Sequence, residues 1–358
     1  MNIESYTIHR LLLELPRPVG DSQIRVDNYW LTVLELKATG GRTGVGFELP
    51  QGAPTAGLVQ LQAQFEYDAW PILKGANPCT LALRITRARG ENVGIAAMSL
   101  AVQTALWDLM GQDLELPLYQ LLGGTDPKVR AYGSTLDFPL SDDEFRKRLE
   151  HFKHLGFRAI KVKVGHPDLE WDLRRLGIVH DVMGNGIDLM VDANEAWSPK
   201  EAVLRAHAYR DQGFDIYWLE DPITREDYQG YARLAAELPF VRINTGEYLE
   251  FSGKRRLLEH HAVDVLNIQG SINDPRAAAH LAGDYGIPVS LGNTILEIGV
   301  HLAASLPDCL YLEFSDLMWN RLAKEPVKFE GGYAIAPDRP GHGIELESEA
   351  VKEFSRPA

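Results

Sequence analysis

The sequence is poor in the features that mark secreted, thiolate-metal, nucleic-acid-binding and membrane proteins. It contains only two cysteines, Cys79 and Cys309, and no CxxC pair, which argues against a disulfide framework and against a zinc site built from thiolates. The formal net charge is −14 and there is no lysine- or arginine-rich stripe, so we expect neither a nucleic acid nor a membrane as partner. No apolar run approaches the roughly 18 residues of a membrane span, and the N-terminus lacks a signal-peptide pattern. We therefore expect a cytoplasmic protein in a reducing compartment.

What is present is the composition of a globular protein with a sizeable core, 45% hydrophobic and 24% charged. In the first part of the chain, alternating apolar residues predict an antiparallel meander with strands at residues 3 to 14, 29 to 37 and 43 to 48, with a loop around residues 16 to 21 and a turn at Gly40-Gly41. The pattern becomes helical from about residue 57 to 122, including residues 96 to 111. We assign residues 1 to 125 to an α+β capping domain. The glycines between Gly40 and Gly46 lack the helix and the Lys-Ser/Thr of a phosphate loop, so they are interpreted as hairpin glycines.

Eight short apolar runs then alternate with helical patterns. The runs cover residues 129 to 134, 159 to 164, 187 to 191, 216 to 219, 241 to 244, 263 to 268, 287 to 291 and 310 to 314. Amphipathic segments such as residues 142 to 155 and 199 to 212 separate them, which predicts an α/β fold of the (β/α)8 type, a TIM barrel, over residues 126 to 325. Residues 326 to 358 contain no further unit, and we expect them to pack back on the capping domain and complete it.

Three acids stand at or just past the ends of successive predicted strands: Asp192, Glu220 and Glu247. The number of residues between successive acids is about that of one βα repeat of the barrel. Each acid therefore returns to the same height at the C-terminal rim, where barrel enzymes work. Carboxylates packed together repel unless a hard divalent cation relieves the repulsion. We predict that they bind one Mg²⁺ per active site, with Mn²⁺ as a substitute. The alternative is that each acid caps a helix or pairs with a surface base.

Lys161 and Lys163 are two residues apart on one predicted strand, so their side chains share a face. Here that face is the barrel interior near its upper rim, where a buried lysine needs a reason. Repulsion between two ammonium groups about 6.7 Å apart would lower one pKa by close to two units at an effective dielectric near 20, although the acids oppose this shift. A neutral lysine could remove the proton next to a metal-held carboxylate. The alternative is that both lysines only balance the acids. We expect Asn194 to bind a substrate oxygen and Asp221 to pair with a base.

These residues resemble the enolase superfamily, and within it the mandelate racemase and muconate-lactonizing group, over essentially the whole chain. The matching segments are Ala105-Leu-Trp-Asp-Leu-Met-Gly111, Leu121-Leu-Gly-Gly124, Lys161-Val-Lys163, Val191-Asp-Ala-Asn194, Trp218-Leu-Glu-Asp-Pro222, Gly246-Glu247 and Pro340-Gly-His-Gly-Ile344. The resemblance implies that Asp192, Glu220 and Glu247 bind magnesium, that Lys163 is a catalytic acid/base and that Lys161 contacts the substrate carboxylate. It also implies that Glu313 takes part in catalysis by hydrogen-bonding that carboxylate, and that the meander forms a lid.

The sequence departs from this family where a second base would stand. Racemase-like members carry an Asp after strand six and a His after strand seven, whereas this chain has Gln269 and Asn293, and it also lacks the lysine that lactonizing members carry in strand six. We interpret Gln269 and Asn293 as substrate-binding residues. Because a proton transfer between two faces needs two acid/base groups and elimination of water can proceed with one, we favour dehydration of a sugar acid.

The alternatives are an epimerase, racemase or cycloisomerase of a carboxylate, and a barrel that binds a metal carboxylate without converting it. We interpret His301 as a core histidine and leave His260, His261 and His342 without a role. Lid contacts are expected from Asp21, Ser22, Gln23 and Gln51. The partners expected are a small carboxylate-bearing substrate and further copies of the chain in a homo-oligomer.

Overall fold

The computed structural model describes residues 1 to 49, 57 to 86, 93 to 94, 98 to 270, 272 to 315, 317 and 321 to 356. It opens with an antiparallel sheet of β1 (Ile3–Gly20), β2 (Arg25–Ala38) and β3 (Thr43–Glu48) in the order β1-β2-β3. The predicted loop at residues 16 to 21 is wrong, because β1 continues through Pro16 and Pro18 with a shift in register between Glu14 and Val19. Proline lacks the N–H that regular pairing needs and is tolerated at such an irregularity. The loop that the cap presents to the barrel is therefore a short turn after Gly20.

Helices pack against this sheet and complete the cap. They are α1 (Leu58–Asp68), α2 (Trp70–Leu73), α3 (Pro78–Leu81), α4 (Ser99–Leu114) and α5 (Leu118–Leu121), with the two-residue strands β4 (Ile85–Thr86) and β5 (Val93–Gly94) before α4. Helix α4 lies so close to β3 that a Cβ on Gly46 would stand 1.7 Å from the carbonyl oxygen of Ala101. Packing therefore requires glycine at position 46, which lies within β3 and not in the hairpin turn. The first predicted residues of this helix, 96 and 97, lie outside the described residues.

Eight parallel strands form a closed barrel in which each strand pairs with the next along the chain and the last pairs with the first. They are β6 (Lys128–Ser134), β7 (Ala159–Lys163), β8 (Asp188–Asp192), β9 (Ile216–Glu220), β10 (Arg242–Thr245), β11 (Val265–Ile268), β12 (Val289–Leu291) and β13 (Cys309–Phe314). The connecting helices are α6 (Asp142–His154), α7 (Leu169–Met183), α8 (Pro199–Asp211), α9 (Tyr228–Glu237), α10 (Phe251–Glu259), α11 (Asn273–Asp284) and α12 (Gly299–Ala303), the last preceded by a 3-10 turn (Ile295–Glu297). The predicted TIM barrel with an N-terminal cap is confirmed.

The tail divides between the barrel and the cap. The hairpin β14 (Lys328–Glu330) and β15 (Tyr333–Ile335) continues the barrel sheet, because β15 pairs antiparallel with β6. The chain then returns to the cap, where the backbone N–H of His342 donates to Asp108 Oδ1 at 3.0 Å, and helix α13 (Ser348–Phe354) ends in a bridge between Ser355 and Leu11 of β1. The tail therefore contacts both the cap and the barrel.

Asp108 joins three segments of the cap. Its Oδ2 accepts from the backbone N–H of Val45 and from Gln112 Nε2, both at 3.0 Å, while its Oδ1 holds His342. A Cβ on Gly341 would stand 2.0 Å from Asp108 Oδ1, so the glycine beside His342 lets the tail approach this close. No described helix is long and apolar enough to cross a membrane.

Candidate active site

The predicted acids and lysines meet at the carboxyl ends of neighbouring barrel strands. In the parallel register Lys163 stands beside Asp192, and Asp192 beside Glu220. The strand partner of Glu220 on the next strand is Asn244, and Glu247 follows three residues later, in the loop after β10. Equal spacing along the sequence therefore places Asp192 and Glu220 at one height, whereas Glu247 approaches from the loop above.

Each lysine forms a short ion pair with one of these acids. Lys161 Nζ lies 2.6 Å from Glu220 Oε1, 3.6 Å from Asp192 Oδ2 and 3.4 Å from Glu313 Oε1. Lys163 Nζ lies 2.6 Å from Asp192 Oδ2 and donates to Asn194 Oδ1 at 2.8 Å. Both lysine side chains are almost completely buried, at 2% and 7% exposure. Ion pairs this deep stabilise the arrangement only if the remaining hydrogen-bonding groups are also satisfied.

Glu220 has two further hydrogen-bond partners, neither of which was predicted from the sequence. Trp218 Nε1 donates to its Oε2 at 3.0 Å, and Asn267 Nδ2 donates to its Oε1 at 3.2 Å. Asn267 stands two residues before Gln269, and alternate residues of a strand share a face. The family resemblance points to a lysine or an aspartate on this strand and gives no signal for an amide on the same face.

The acids of the site outnumber its bases. Asp192, Glu220, Glu247 and Glu313 face two lysines, so the cluster is short of two positive charges when all six groups are ionised. Burial would raise the pKa of Asp192 and Glu313, but the adjacent lysines hold both pKa values below their usual range. Burial and the neighbouring carboxylates instead raise the pKa of Glu220 and of Glu247 to about 8. Within this cluster, ionisation is therefore disfavoured most at Glu220 and Glu247.

Asp221 is a fifth acid at the same rim. Burial and the charges of Asp192 and Glu220 raise its pKa to about 7. Its Oδ1 accepts from Thr245 Oγ1 at 2.5 Å, so its partner is a hydroxyl rather than the base that we predicted. The backbone of Asp221 is left-handed with φ 38°, and the two residues after Ala193 are also left-handed, Asn194 with φ 47° and Glu195 with φ 64°. Such conformations are rare outside glycine and cluster at functional sites.

The lysines retain their protons beside these acids. Burial acts to lower the pKa of Lys161 and of Lys163, but the neighbouring carboxylates outweigh it and raise both pKa values above the ordinary lysine value. Repulsion between the lysines is the smaller effect, which is opposite to the shift that we considered from their spacing. A lysine with a lowered pKa therefore requires compensation of the acids by another cation.

The chemistry of the donor set fits a divalent metal ion. Asp192, Glu220 and Glu247 supply carboxylate oxygens, which hard cations prefer, and two positive charges would balance the cluster. Within the described part of the chain, no three acids, histidines or cysteines are already arranged as a ligand set. Asp192, Glu220 and Glu247 would hold this ion, and Glu220 lies 2.6 Å from Lys161 Nζ.

A cavity of about 970 Å³ opens above the lysines, between the barrel and the cap. Its floor includes Lys161, Lys163, Glu247 and Glu313, whereas Asp192 and Glu220 lie beneath the lysines. The other predicted substrate-binding residues also line it: Asn194, Gln269 and Asn293. The backbone N–H of Asn293 donates to Glu313 Oε2 at 2.9 Å. All predicted site residues are therefore in one place.

The cap reaches the same cavity through the turn after β1. Ser22 Oγ donates to the carbonyl oxygen of Ala193 at 3.0 Å, and Gln23 Nε2 donates to that of Asn194. Asp21 lines the cavity, and its Oδ1 accepts from the backbone N–H groups of Gln23 and Ile24. Gln51, also predicted to make a lid contact, lies outside the described residues.

The histidines stand apart from this chemistry. The backbone N–H of Tyr119 donates to His301 Nδ1 at 3.2 Å, and His301 Nε2 pairs with the carbonyl oxygen of His342 at 3.0 Å. Burial lowers the pKa of His301 to about 3. His301 is therefore a satisfied core histidine, as the sequence predicted, and His342 links the tail to Asp108 and Val45 of the cap.

Comparison with known proteins assigns both parts of the chain to one family. Residues 6 to 123 match the N-terminal domain of mandelate racemase / muconate lactonizing enzyme, and residues 144 to 351 match the enolase C-terminal domain-like family. A relative from Streptomyces coelicolor, 3,6-anhydro-alpha-L-galactonate cycloisomerase, is 36% identical over 70% of this chain and 70% of its own. Further relatives are dehydratases of sugar acids and epimerases of dipeptides.

Solved structures agree over the whole fold. A protein from Mesorhizobium loti, solved as a candidate mandelate racemase, is 41% identical with a TM-score of 0.94 and covers 100% of this chain and 95% of its own. L-talarate/galactarate dehydratase from Salmonella typhimurium, solved with magnesium and L-lyxarohydroxamate, is 28% identical with a TM-score of 0.86 over 99% of this chain and 93% of its own. The chain belongs to the mandelate racemase and muconate-lactonizing group of the enolase superfamily.

Proposed function

We propose that this protein is a magnesium-dependent enzyme that removes the α-proton of a small hydroxy-carboxylate and dehydrates a sugar acid. The observation that carries the proposal is the charge balance of the site: four buried or half-buried acids, Asp192, Glu220, Glu247 and Glu313, face two lysines. Asp192, Glu220 and Glu247 would hold the metal. When bound, Mg²⁺ supplies the positive charge that makes the α-proton of a carboxylate acidic.

In this proposal Lys163 is the base. Its ammonium group is held between Asp192 Oδ2 and Asn194 Oδ1, and it lines the cavity floor. Asp192 makes the main interaction that keeps Lys163 protonated, so a cation held by Asp192 would weaken that interaction, and the neutral amine of Lys163 would then accept the α-proton. Lys161, buried between Glu220 and Glu313, would hold the substrate carboxylate. Glu313 lies 3.4 Å from Lys161 Nζ and accepts a hydrogen bond from the backbone N–H of Asn293. Asn194, Gln269 and Asn293 would orient the hydroxyl groups of the substrate.

The wall opposite the lysines supports dehydration rather than epimerisation. The residues that line the cavity after β11 and β12 include Gln269, Gly270, Asn293 and Thr294, and none of these side chains titrates near neutral pH. A base on one face suffices for elimination if the same lysine returns its proton to the leaving hydroxide. Epimerisation needs a second acid/base on the other face.

The test is α-proton exchange with a panel of sugar acids in D₂O containing Mg²⁺, followed by NMR, together with detection of the 2-keto-3-deoxy product. We expect deuterium incorporation and water loss on the true substrate, and a fall of at least about 100-fold for Lys163→Met, the scale of general-base catalysis. Lys153→Met, on the exposed face of α6, is the control and should retain activity. Exchange without water loss would favour an epimerase, and tight binding without exchange would favour a binding barrel.

A further inference from the structure

The backbone of Lys163, the proposed base, is held by a side chain that follows the neighbouring strand. Regular pairing between β6 and β7 ends at Ser134 and Lys161, before Lys163 is reached. The backbone N–H of Thr135 still donates to the carbonyl oxygen of Lys161, at 3.1 Å. The backbone N–H of Lys163 donates instead to Asp137 Oδ1, at 3.0 Å. Because a buried N–H group needs an acceptor, the carboxylate of Asp137 takes the place of a strand partner.

Asp137 is itself completely buried and has partners on two sides. Its Oδ1 also accepts from Thr135 Oγ1. Burial raises the pKa of Asp137, and the guanidinium group of Arg175 opposes this shift. Arg175 NH2 reaches the same residue from helix α7 and donates to its carbonyl oxygen at 3.4 Å. Asp137 therefore has a compensating charge on one side and the backbone of the base on the other.

The segment that carries Asp137 also contacts the cap. The backbone N–H of Gly20 donates to the carbonyl oxygen of Leu136 at 3.3 Å, and Gly20 forms a bridge with Asp137. Leu136 lines the active-site cavity and has a left-handed backbone with φ 47°. Such a conformation persists only where the surrounding structure holds it. The segment is therefore fixed between the cap, helix α7 and the strand of the base.

The position of the Lys163 amine depends on both ends of the residue. Contacts with Asp192 and Asn194 hold the ammonium group, and Asp137 holds the backbone. A base acts only within hydrogen-bond reach of the proton that it removes, and a misplacement of about 1 Å can cost about 100-fold in rate. Asp137 is not among the described residues that line the cavity, so it can act on the reaction only through its neighbours.

We infer that Asp137 is a positioning residue for catalysis, which fixes the backbone of Lys163 through its Oδ1 atom and so sets the place of the amine at the cavity floor. The inference rests on the proposed function for the role of Lys163 as the base. It adds to that function a buried residue that affects the proton transfer and leaves the binding of substrate and metal to other groups.

The test compares Asp137→Ala with Asp137→Asn. Alanine removes the acceptor and the charge, whereas asparagine keeps an oxygen for the N–H of Lys163 and loses the charge that Arg175 compensates. On a sugar acid whose α-proton the protein exchanges, we expect kcat to fall about 10- to 100-fold for Asp137→Ala and less than about 3-fold for Asp137→Asn. KM and the Kd for Mg²⁺ should stay within about 3-fold in both variants, because other residues hold substrate and metal.

Hydrogen exchange of the Lys163 backbone amide gives a readout that does not depend on turnover. It is followed by NMR on protein with selectively labelled lysine. We expect this amide to exchange at least about 10-fold faster in Asp137→Ala, since its acceptor is lost, and at nearly the original rate in Asp137→Asn. Thr135→Val removes the hydroxyl that donates to Asp137 and should lower kcat by a smaller factor, so this milder variant decides the question if Asp137→Ala does not fold.

Asp264→Ala is the matched control. Asp264 Oδ2 accepts from the backbone N–H of Ile243 at 2.8 Å, so the variant also removes a bond between a carboxylate and a strand. Asp264 stands just before β11, at the N-terminal end of the barrel and away from the proposed base. We expect kcat and the exchange of the Lys163 amide to remain unchanged in this variant.

The inference is overturned if Asp137→Ala retains full kcat, or if it weakens substrate and Mg²⁺ binding as much as it lowers kcat. An equal loss of kcat in Asp264→Ala or in Asp137→Asn would also overturn it, as would full kcat in Thr135→Val. The proposed function fails separately, if Lys163→Met still exchanges the α-proton. Hydrogen exchange of the Lys163 amide would then still show whether Asp137 holds that backbone.

Discussion

Magnesium binding should release protons from the active site. Burial and neighbouring carboxylates raise the pKa of Glu220 and of Glu247 to about 8, so at pH 7 both carboxyl groups favour the protonated form. A metal ion can use these groups only as carboxylates. Each proton that must leave weakens the apparent affinity about 10-fold for every pH unit below the pKa, or about 1.4 kcal/mol.

The sign of the effect follows from the direction of the shift. These acids have a higher pKa folded than unfolded, so their contribution to stability is complete below the unfolded value of about 4.5 and is lost as pH rises through about 8. The metal-free protein should therefore lose stability across this window. The metal-bound protein should become more stable relative to the metal-free protein as pH rises, because the cation compensates the negative charge of the acids that ionise. From pH 7 to pH 9 we expect the apparent Kd for Mg²⁺ to fall about 10-fold if one proton leaves and about 100-fold if both leave.

Calorimetric titration with Mg²⁺ in two buffers of different ionisation enthalpy gives the number of protons released directly. We expect between one and two at pH 7. The variant Glu247→Gln removes one titrating group and should reduce the number by close to one, in addition to weakening the metal. The reasoning is refuted if the affinity is the same at pH 7 and pH 9 and no proton is released, since Glu220 and Glu247 would then already be ionised at pH 7.

Three further predictions concern residues around the site and in the cap. Asn267→Leu removes the 3.2 Å hydrogen bond to Glu220 and should weaken Mg²⁺ binding about 10-fold, as for other residues that support metal ligands; unchanged affinity in the same calorimetric assay would contradict this role. Burial lowers the pKa of Lys254, which donates to the carbonyl oxygen of Leu249, to about 8. The pKa of Lys254 is lower in the folded than in the unfolded protein. The free energy of unfolding should therefore rise by up to about 3 kcal/mol between pH 8 and 10.5, relative to Lys254→Met. The prediction is wrong if the free energy of unfolding of the two proteins changes equally with pH across that range. Gly46→Ala should destabilise the cap by at least about 2 kcal/mol, because the new Cβ would stand 1.7 Å from Ala101 O; Gly177→Ala, in α7 with no atom within 4 Å of its new Cβ, should leave the melting temperature unchanged or raise it.

The acid and lysine positions were predictable because barrel strands repeat at nearly constant intervals. Alternation along β7 put Lys161 and Lys163 on one face, and the positions of Asp192 and Glu220 at strand ends put both at one rim. The protonation of the lysines was not predictable in the same way. It depends on the number of carboxylates within a few ångströms and on their burial, which the sequence spacing of two lysines does not contain.

Two partners of Glu220 were not predicted from the sequence either. Trp218 donates to Glu220 from the same strand, and Asn267 donates from β11. A strand pattern alone does not distinguish a polar side chain that donates to an acid from one that packs in the core. The tail was assigned to the cap as a whole, whereas β15 adds to the barrel sheet beside β6. Edge pairing of this kind depends on which strand edge remains open after the barrel closes.

The sequence by itself determined the barrel, its cap and the ring of acids, because periodicity and repeat length are local properties that can be read directly along the chain. Only the tertiary structure decided the balance of charge in the site and the character of the cavity wall. Lys161 meets Glu220 and Glu313 across the barrel, and Trp30 and Phe47 reach the same cavity from a separate sheet. Electrostatic interaction and desolvation depend on distances between residues that are far apart in the chain, and those distances exist only once the barrel has closed beneath its cap.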